Sequence, residues 1–162
     1  MQGKLTTAVL LVAISALAGC DIINSRSENL PNSVATTYEY WMTGGFAGSS
    51  MHLQMDSLGS AKLTYTSGSQ SQTDTFIYRL SASELDTLRD VFQASGFFYL
   101  EDLYKGPLTI MDGFNYKITC NTTSATKSVS IVDYPKLPNG LGNLLGVFYR
   151  ISERIMEKGY RF

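Results

Sequence analysis

Histidine and cysteine are scarce in this chain of 162 residues: there is one histidine, His52, and there are two cysteines, Cys20 and Cys120. A zinc centre draws three or four ligands from His, Cys and carboxylates, and this stock does not supply them. His52 sits between Met51 and Leu53 in an alternating segment, which predicts a solvated histidine on the polar side of a strand. No G-x-S-x-G sequence raises a serine nucleophile. No EF-hand, phosphate-loop or dinucleotide spacing occurs. These absences predict a chain with no metal, no cofactor and no catalytic residues, and so not an enzyme. Basic runs are missing as well. The 13 Lys+Arg residues are scattered among 14 Asp+Glu, which excludes nucleic acid as a partner.

Long apolar runs are also lacking. The segment Ala8 to Ala18 (AVLLVAISALA) is too short to span a bilayer. It follows Lys4 and has the form of a secretory signal. The run closes in Leu17-Ala18-Gly19-Cys20, which resembles the lipobox of bacterial lipoproteins. The resemblance implies cleavage before Cys20, a diacylglyceryl thioether on its sulfur and acylation of the freed amine. Two or more acyl chains anchor a protein stably where one binds only marginally. Residues 1–19 are thus expected to be a signal peptide, and the rest to be held in a bacterial cell envelope by lipid on Cys20. Asp21 resembles an inner-membrane retention signal of enteric bacteria. The sequence leaves inner and outer membrane open.

With Cys20 committed to lipid, Cys120 has no disulfide partner. It is in phase with Tyr116 and Ile118, which predicts a buried strand thiol. Removing residues 1–19 leaves 143 of the 162 residues and, with Lys4 gone, a formal charge of −2. That length suits one domain with a real core. Residues 20–36, polar and carrying Pro31, are expected to form the lipidated cysteine and a flexible tether. The domain is expected over 37–162.

Within it, ten tyrosines and eight phenylalanines favour strands. Thr37 to Met42 is aromatic-rich and reads as a first strand. Alternation over Met51–Met55, Ala61–Tyr65 and Phe76–Leu80 predicts three more, with short connections, as an antiparallel meander. The period then changes. Ser81-Ala82-Ser83-Glu84 is a capping box, followed by Leu85, Leu88, Val91 and Phe92 at helical spacing, with Gly96 as C-cap. Glu101 and Asp102 are expected to be a solvated loop pair within an irregular connection over 101–113. Tyr116–Cys120 and Val129–Ile131 predict two further strands. Leu141, Leu144, Phe148, Ile151 and Ile155 predict a closing amphipathic helix. The expected fold class is therefore α+β: about six antiparallel strands with two helices on one face, in the order ββββ-α-ββ-α.

Two segments stand out as partner-binding candidates. Thr43-Gly44-Gly45-Phe46-Ala47-Gly48 is a glycine-dense turn, and Asp112-Gly113-Phe114-Asn115-Tyr116-Lys117-Ile118-Thr119 leads into a strand. The first resembles the S-G-G-F-A-G stretch of emfourin-like proteins, small inhibitors of protealysin and other thermolysin-like zinc metalloproteases. The second is similar to that family's D-x-x-x-Y-x-[IL]-[ST] pattern. Leu85 to Phe98 resembles its helix ending in paired phenylalanines, and the closing helix also fits. The resemblance spans about residues 38–157. It implies a secreted or periplasmic zinc metalloprotease as partner, with Phe46 entering the enzyme's apolar pocket and Asp112 approaching its zinc. The other reading is an envelope lipoprotein of structural or protein-binding role with no protease target. There the turn is structural, and Phe46 is either core or a small patch.

Overall fold

The computed structural model describes residues 35–69, 72–133 and 135–162. The signal peptide, Cys20 and most of the expected tether lie outside the described residues.

Four strands come first, as expected: β1 (Ala35–Gly44), β2 (Ser49–Asp56), β3 (Ser60–Ser67) and β4 (Gln72–Arg79) form an antiparallel meander. Helix α1 (Ala82–Ser95) follows. Its capping box is formed: Ser81 N–H donates to Glu84 Oε2 at 2.7 Å, and Glu84 N–H reaches Ser81 Oγ at 3.4 Å. Gly96 ends it in the left-handed region at φ 61°, where a glycine meets no Cβ penalty. A short 3-10 turn at Phe97–Tyr99 then brings Phe97 into the core.

The rest of the chain adds β5 (Leu103–Lys105), β6 (Phe114–Thr122), β7 (Thr126–Val132), helix α2 (Asn139–Lys158) and β8 (Tyr160–Arg161). The sheet is eight-stranded in the order β5-β7-β6-β1-β2-β3-β4-β8. Two of these strands correct the expectation of six. β5 pairs parallel with β7, which also makes the sheet mixed, and β8 pairs with β4. Strands of three and two residues are too short to show alternation, and only their ladder partners define them. They occupy the two sheet edges, where short strands limit edge-to-edge association.

Both helices cover one face. Alternate residues of β1, Tyr38 and Tyr40, point to that face. Tyr38 packs on Phe92 of α1, with ring centroids 4.9 Å apart, and Tyr40 stacks on Phe148 of α2 at 5.2 Å. Leu53, Leu63, Ile118, Val129, Leu88, Leu141, Leu144 and Ile155 complete the interior with no exposure. The helices themselves meet closely. A Cβ on Gly140 would lie 2.7 Å from Ser95 Cα, so glycine is what lets the start of α2 approach the end of α1. Arg154 of α2 donates to Glu84 Oε1 at 2.7 Å.

Glu84 therefore serves the cap and the helix pair together. Burial alone would raise its pKa, but the Ser81 donors and Arg154 hold it below the usual value. A depressed carboxylate contributes stability above its unfolded pKa and loses it as pH falls through the folded one. Glu84→Gln should lower unfolding free energy by about 1 kcal/mol at pH 7. The gap to wild type should close as pH falls below about 4.3, as read by urea denaturation at several pH values.

Candidate functional site

The turn picked out by its glycines lies at one pole of the sheet, and its geometry is over-determined. Gly44, Gly45 and Gly48 all have positive φ, at 125°, 76° and 66°. Gly48 N–H donates to Gly45 O at 2.9 Å, closing a four-residue β-turn with Phe46 and Ala47 at its centre. A Cβ on Gly44 would sit 2.0 Å from Gly113 O, and one on Gly45 would sit 2.9 Å from Cζ of Phe114. A Cβ on Gly68, in the β3–β4 connection, would fall 1.4 Å from Ala47 O. Only glycine allows the neighbouring backbone so near on both sides.

The neighbour on one side is a second turn. Gly113 N–H donates to Ile110 O at 3.2 Å, with Met111 and Asp112 between them. Asp112 is left-handed at φ 64°, a conformation that Asp tolerates better than most residues. Gly45 N–H points to Gly113 O at 3.4 Å and links the two turns. Asp133, itself at φ 60° and buried, accepts from Ile110 N–H through Oδ1 at 3.2 Å and holds the second turn from beneath. The structure thus brings together the two segments that the sequence marked separately, Gly44–Gly48 and Asp112.

What they display is apolar. Phe46 is 93% exposed and Met111 is 89% exposed, with Leu108 and Ile110 also exposed on the same connection. Burying such a side chain is worth about 1.5–3 kcal/mol, so these residues contribute little to this fold. Phe46 as a core residue is thereby overturned. Sequence reading missed Met111, Leu108 and Asp133. The Asp112-Gly113 pair was a usable turn signal, but nothing local announced a buried aspartate 21 residues further on.

Elsewhere one expectation is corrected. His52 is not solvated. It lies on the helix-free face of the sheet, 18% exposed in its side chain, with Trp41 stacked on it at 3.5 Å between centroids. Its Nε2 is buried, lacks a hydrogen-bond partner and faces Glu39 Oε2 at 3.5 Å. Cross-strand pairing explains the contact, since Trp41 and His52 are register partners in the β1–β2 ladder. Glu101 and Asp102 are exposed, as expected, with the Asp102 side chain 84% exposed. Asp102 pairs with Lys127, whose ammonium also donates to Leu100 O at 2.7 Å. Cys120 is a free buried thiol, and burial pushes its pKa up to about 11, far from the thiolate that nucleophilic chemistry uses.

Among the described residues no three His, Cys, Asp or Glu side chains gather to hold a metal. No helix among them is long and apolar enough to cross a membrane. The chain matches no protein-family model, and no curated protein is similar enough to count as a relative.

Two measurements follow from this geometry. Gly44→Ala places a methyl against Gly113 O at positive φ, so it should cost about 1–3 kcal/mol in urea denaturation. The pKa of His52 is lowered, first by burial, with Glu39 acting in the opposite direction. Its contribution to stability is present above about pH 6.5 and declines as pH falls through the folded value. The imidazole NMR titration should have its midpoint below 6.5, and Glu39→Gln should move it lower still.

Proposed function

We propose that this protein is a non-enzymatic, lipid-anchored lipoprotein of the bacterial envelope that inhibits a thermolysin-like zinc metalloprotease through its twin-turn pole. The single observation that carries this reading is Phe46. It is almost fully exposed, yet it stands on a turn whose position is fixed by glycine contacts on both flanks. An apolar anchor that is already ordered loses little entropy on entering a partner's pocket. Asp112 on the adjoining turn offers a carboxylate, a natural zinc ligand, to an enzyme whose own metal has an open position.

The placement of the chain suits a tether. β1 begins at Ala35 and ends at Gly44, so Phe46 lies about 30 Å from where the chain enters the fold, at roughly 3.4 Å per strand residue. With lipid on Cys20, the twin turns would face away from the membrane and toward a soluble partner. The second reading, a protein-binding lipoprotein with no protease target, draws on the same exposed patch. It differs in its partner rather than its surface.

Inhibition of peptide hydrolysis separates the two. The chain from residue 20, with Cys20→Ser, should inhibit at least one thermolysin-like enzyme at about micromolar concentration. Phe46→Ala should melt within a degree or two of wild type, since surface truncations usually change stability by less than about 0.5 kcal/mol. Its inhibition should weaken at least about tenfold. Full hydrolysis in a panel of such proteases would sink the inhibitor reading. An unfolded Phe46→Ala would contradict the display role.

A further inference from the structure

At the opposite pole, where β1 begins, lies a cavity of about 280 Å³ between α1 and the sheet. Its walls are aromatic. Tyr38 meets Phe92, Phe92 meets Phe97 at 4.8 Å edge to face, and Phe97 meets Phe98 at 5.9 Å edge to face. The Cys120 side chain also lines it. Its remaining polar lining comes from Arg89, Gln93 and Thr122. Arg89 is tied down on both of its outer nitrogens: Nη2 donates to Ser57 O at 3.0 Å, and Nη1 reaches Asp86 Oδ1 at 3.3 Å. A guanidinium carries five N–H donors, so beyond these two contacts and the neighbouring Tyr38 hydroxyl it keeps capacity for a further acceptor beside this apolar space.

An apolar cleft with few, well-placed polar groups is the usual form of a small-molecule site. The geometry points to a binding site for a single medium-chain carboxylate amphiphile, its tail among Tyr38, Phe92, Phe97 and Phe98 and its carboxylate at Arg89. Charge decides the headgroup. Among the described residues Arg89 is the only cationic one lining the cavity. Asp86 already offsets part of its charge, so a monoanion fits and a phosphate dianion does not. Size limits the tail, since a space of about 280 Å³ that is open on one side takes a short chain and leaves a long one in water. Octanoate represents that class. The site is separate from the twin turns and does not depend on their function.

Octanoate is the probe, and octanol is its uncharged match. In the chain from residue 20 with Cys20→Ser, Cys120 is the one remaining thiol. Octanoate should bind saturably by calorimetry, more tightly than octanol, and should slow alkylation of Cys120 by N-ethylmaleimide. Arg89→Gln should weaken octanoate about tenfold, the scale of one lost charge-assisted hydrogen bond, and leave octanol within about twofold. Asp86→Asn, on the exposed side of α1, should tighten octanoate. Gln93→Trp should fill the mouth and abolish both ligands without lowering the melting temperature. Equal affinity of wild type for octanoate and octanol would overturn the assignment even if Arg89→Gln failed to fold. So would octanoate binding that leaves Cys120 alkylation unchanged, or that survives Gln93→Trp.

Discussion

Strand β1 is the constraint on which the other elements are registered. It is hydrogen-bonded on one side to β2 and on the other to β6, so it joins the N-terminal meander to the C-terminal half of the sheet. Its two inward tyrosines divide the helices between them, with Tyr38 under α1 and Tyr40 under α2. Because side chains alternate with period two, a one-residue slip of β1 would turn both tyrosines to the open face and Trp41 into the core. A slip would also move the Gly44 turn out of register with Gly113. The core and the twin-turn pole thus depend on the same ladder.

The two ends of β1 have different chemistry. At its start, aromatic side chains and one arginine line a cleft. At its finish, apolar side chains stand outward on turns that carry no packing load. The difference comes from the backbone. Near Ala35 the helix layer continues over the strand ends and provides walls. Near Gly44 the glycines at 44, 45 and 68 bring three connections together by close approach, which leaves side chains no interior to enter. Exposure of Phe46 and Met111 follows from that crowding.

Much of the interior was legible in the chain because burial on one face imposes a period. Leu85, Leu88 and Phe92, then Leu141 to Ile155, showed the helices, and Ser81 with Glu84 showed where the first one starts. Tyr116, Ile118 and Cys120 showed a strand buried on one side. His52 was misread for a related reason. Alternation placed it on the polar face, but its shielding comes from Trp41 on the neighbouring strand, and pairing across a ladder leaves no mark along one strand. The pairing of exposed Asp102 with Lys127 leaves no such mark either, since the two lie 25 residues apart.

The sequence by itself determined six of the strands and both helices, where α1 is capped, that Gly44–Gly48 turns, and that Cys120 is a buried thiol. Each of these is set by the chemistry of a few consecutive residues. Only the tertiary structure decided that β6 lies beside β1, that β5 and β8 close the edges, and that Asp112 meets the Gly44–Gly48 turn with Phe46 outward. Those outcomes depend on which apolar faces find each other across the fold and on how near two backbones come. Local periodicity records that a face is apolar and carries no information about which partner covers it.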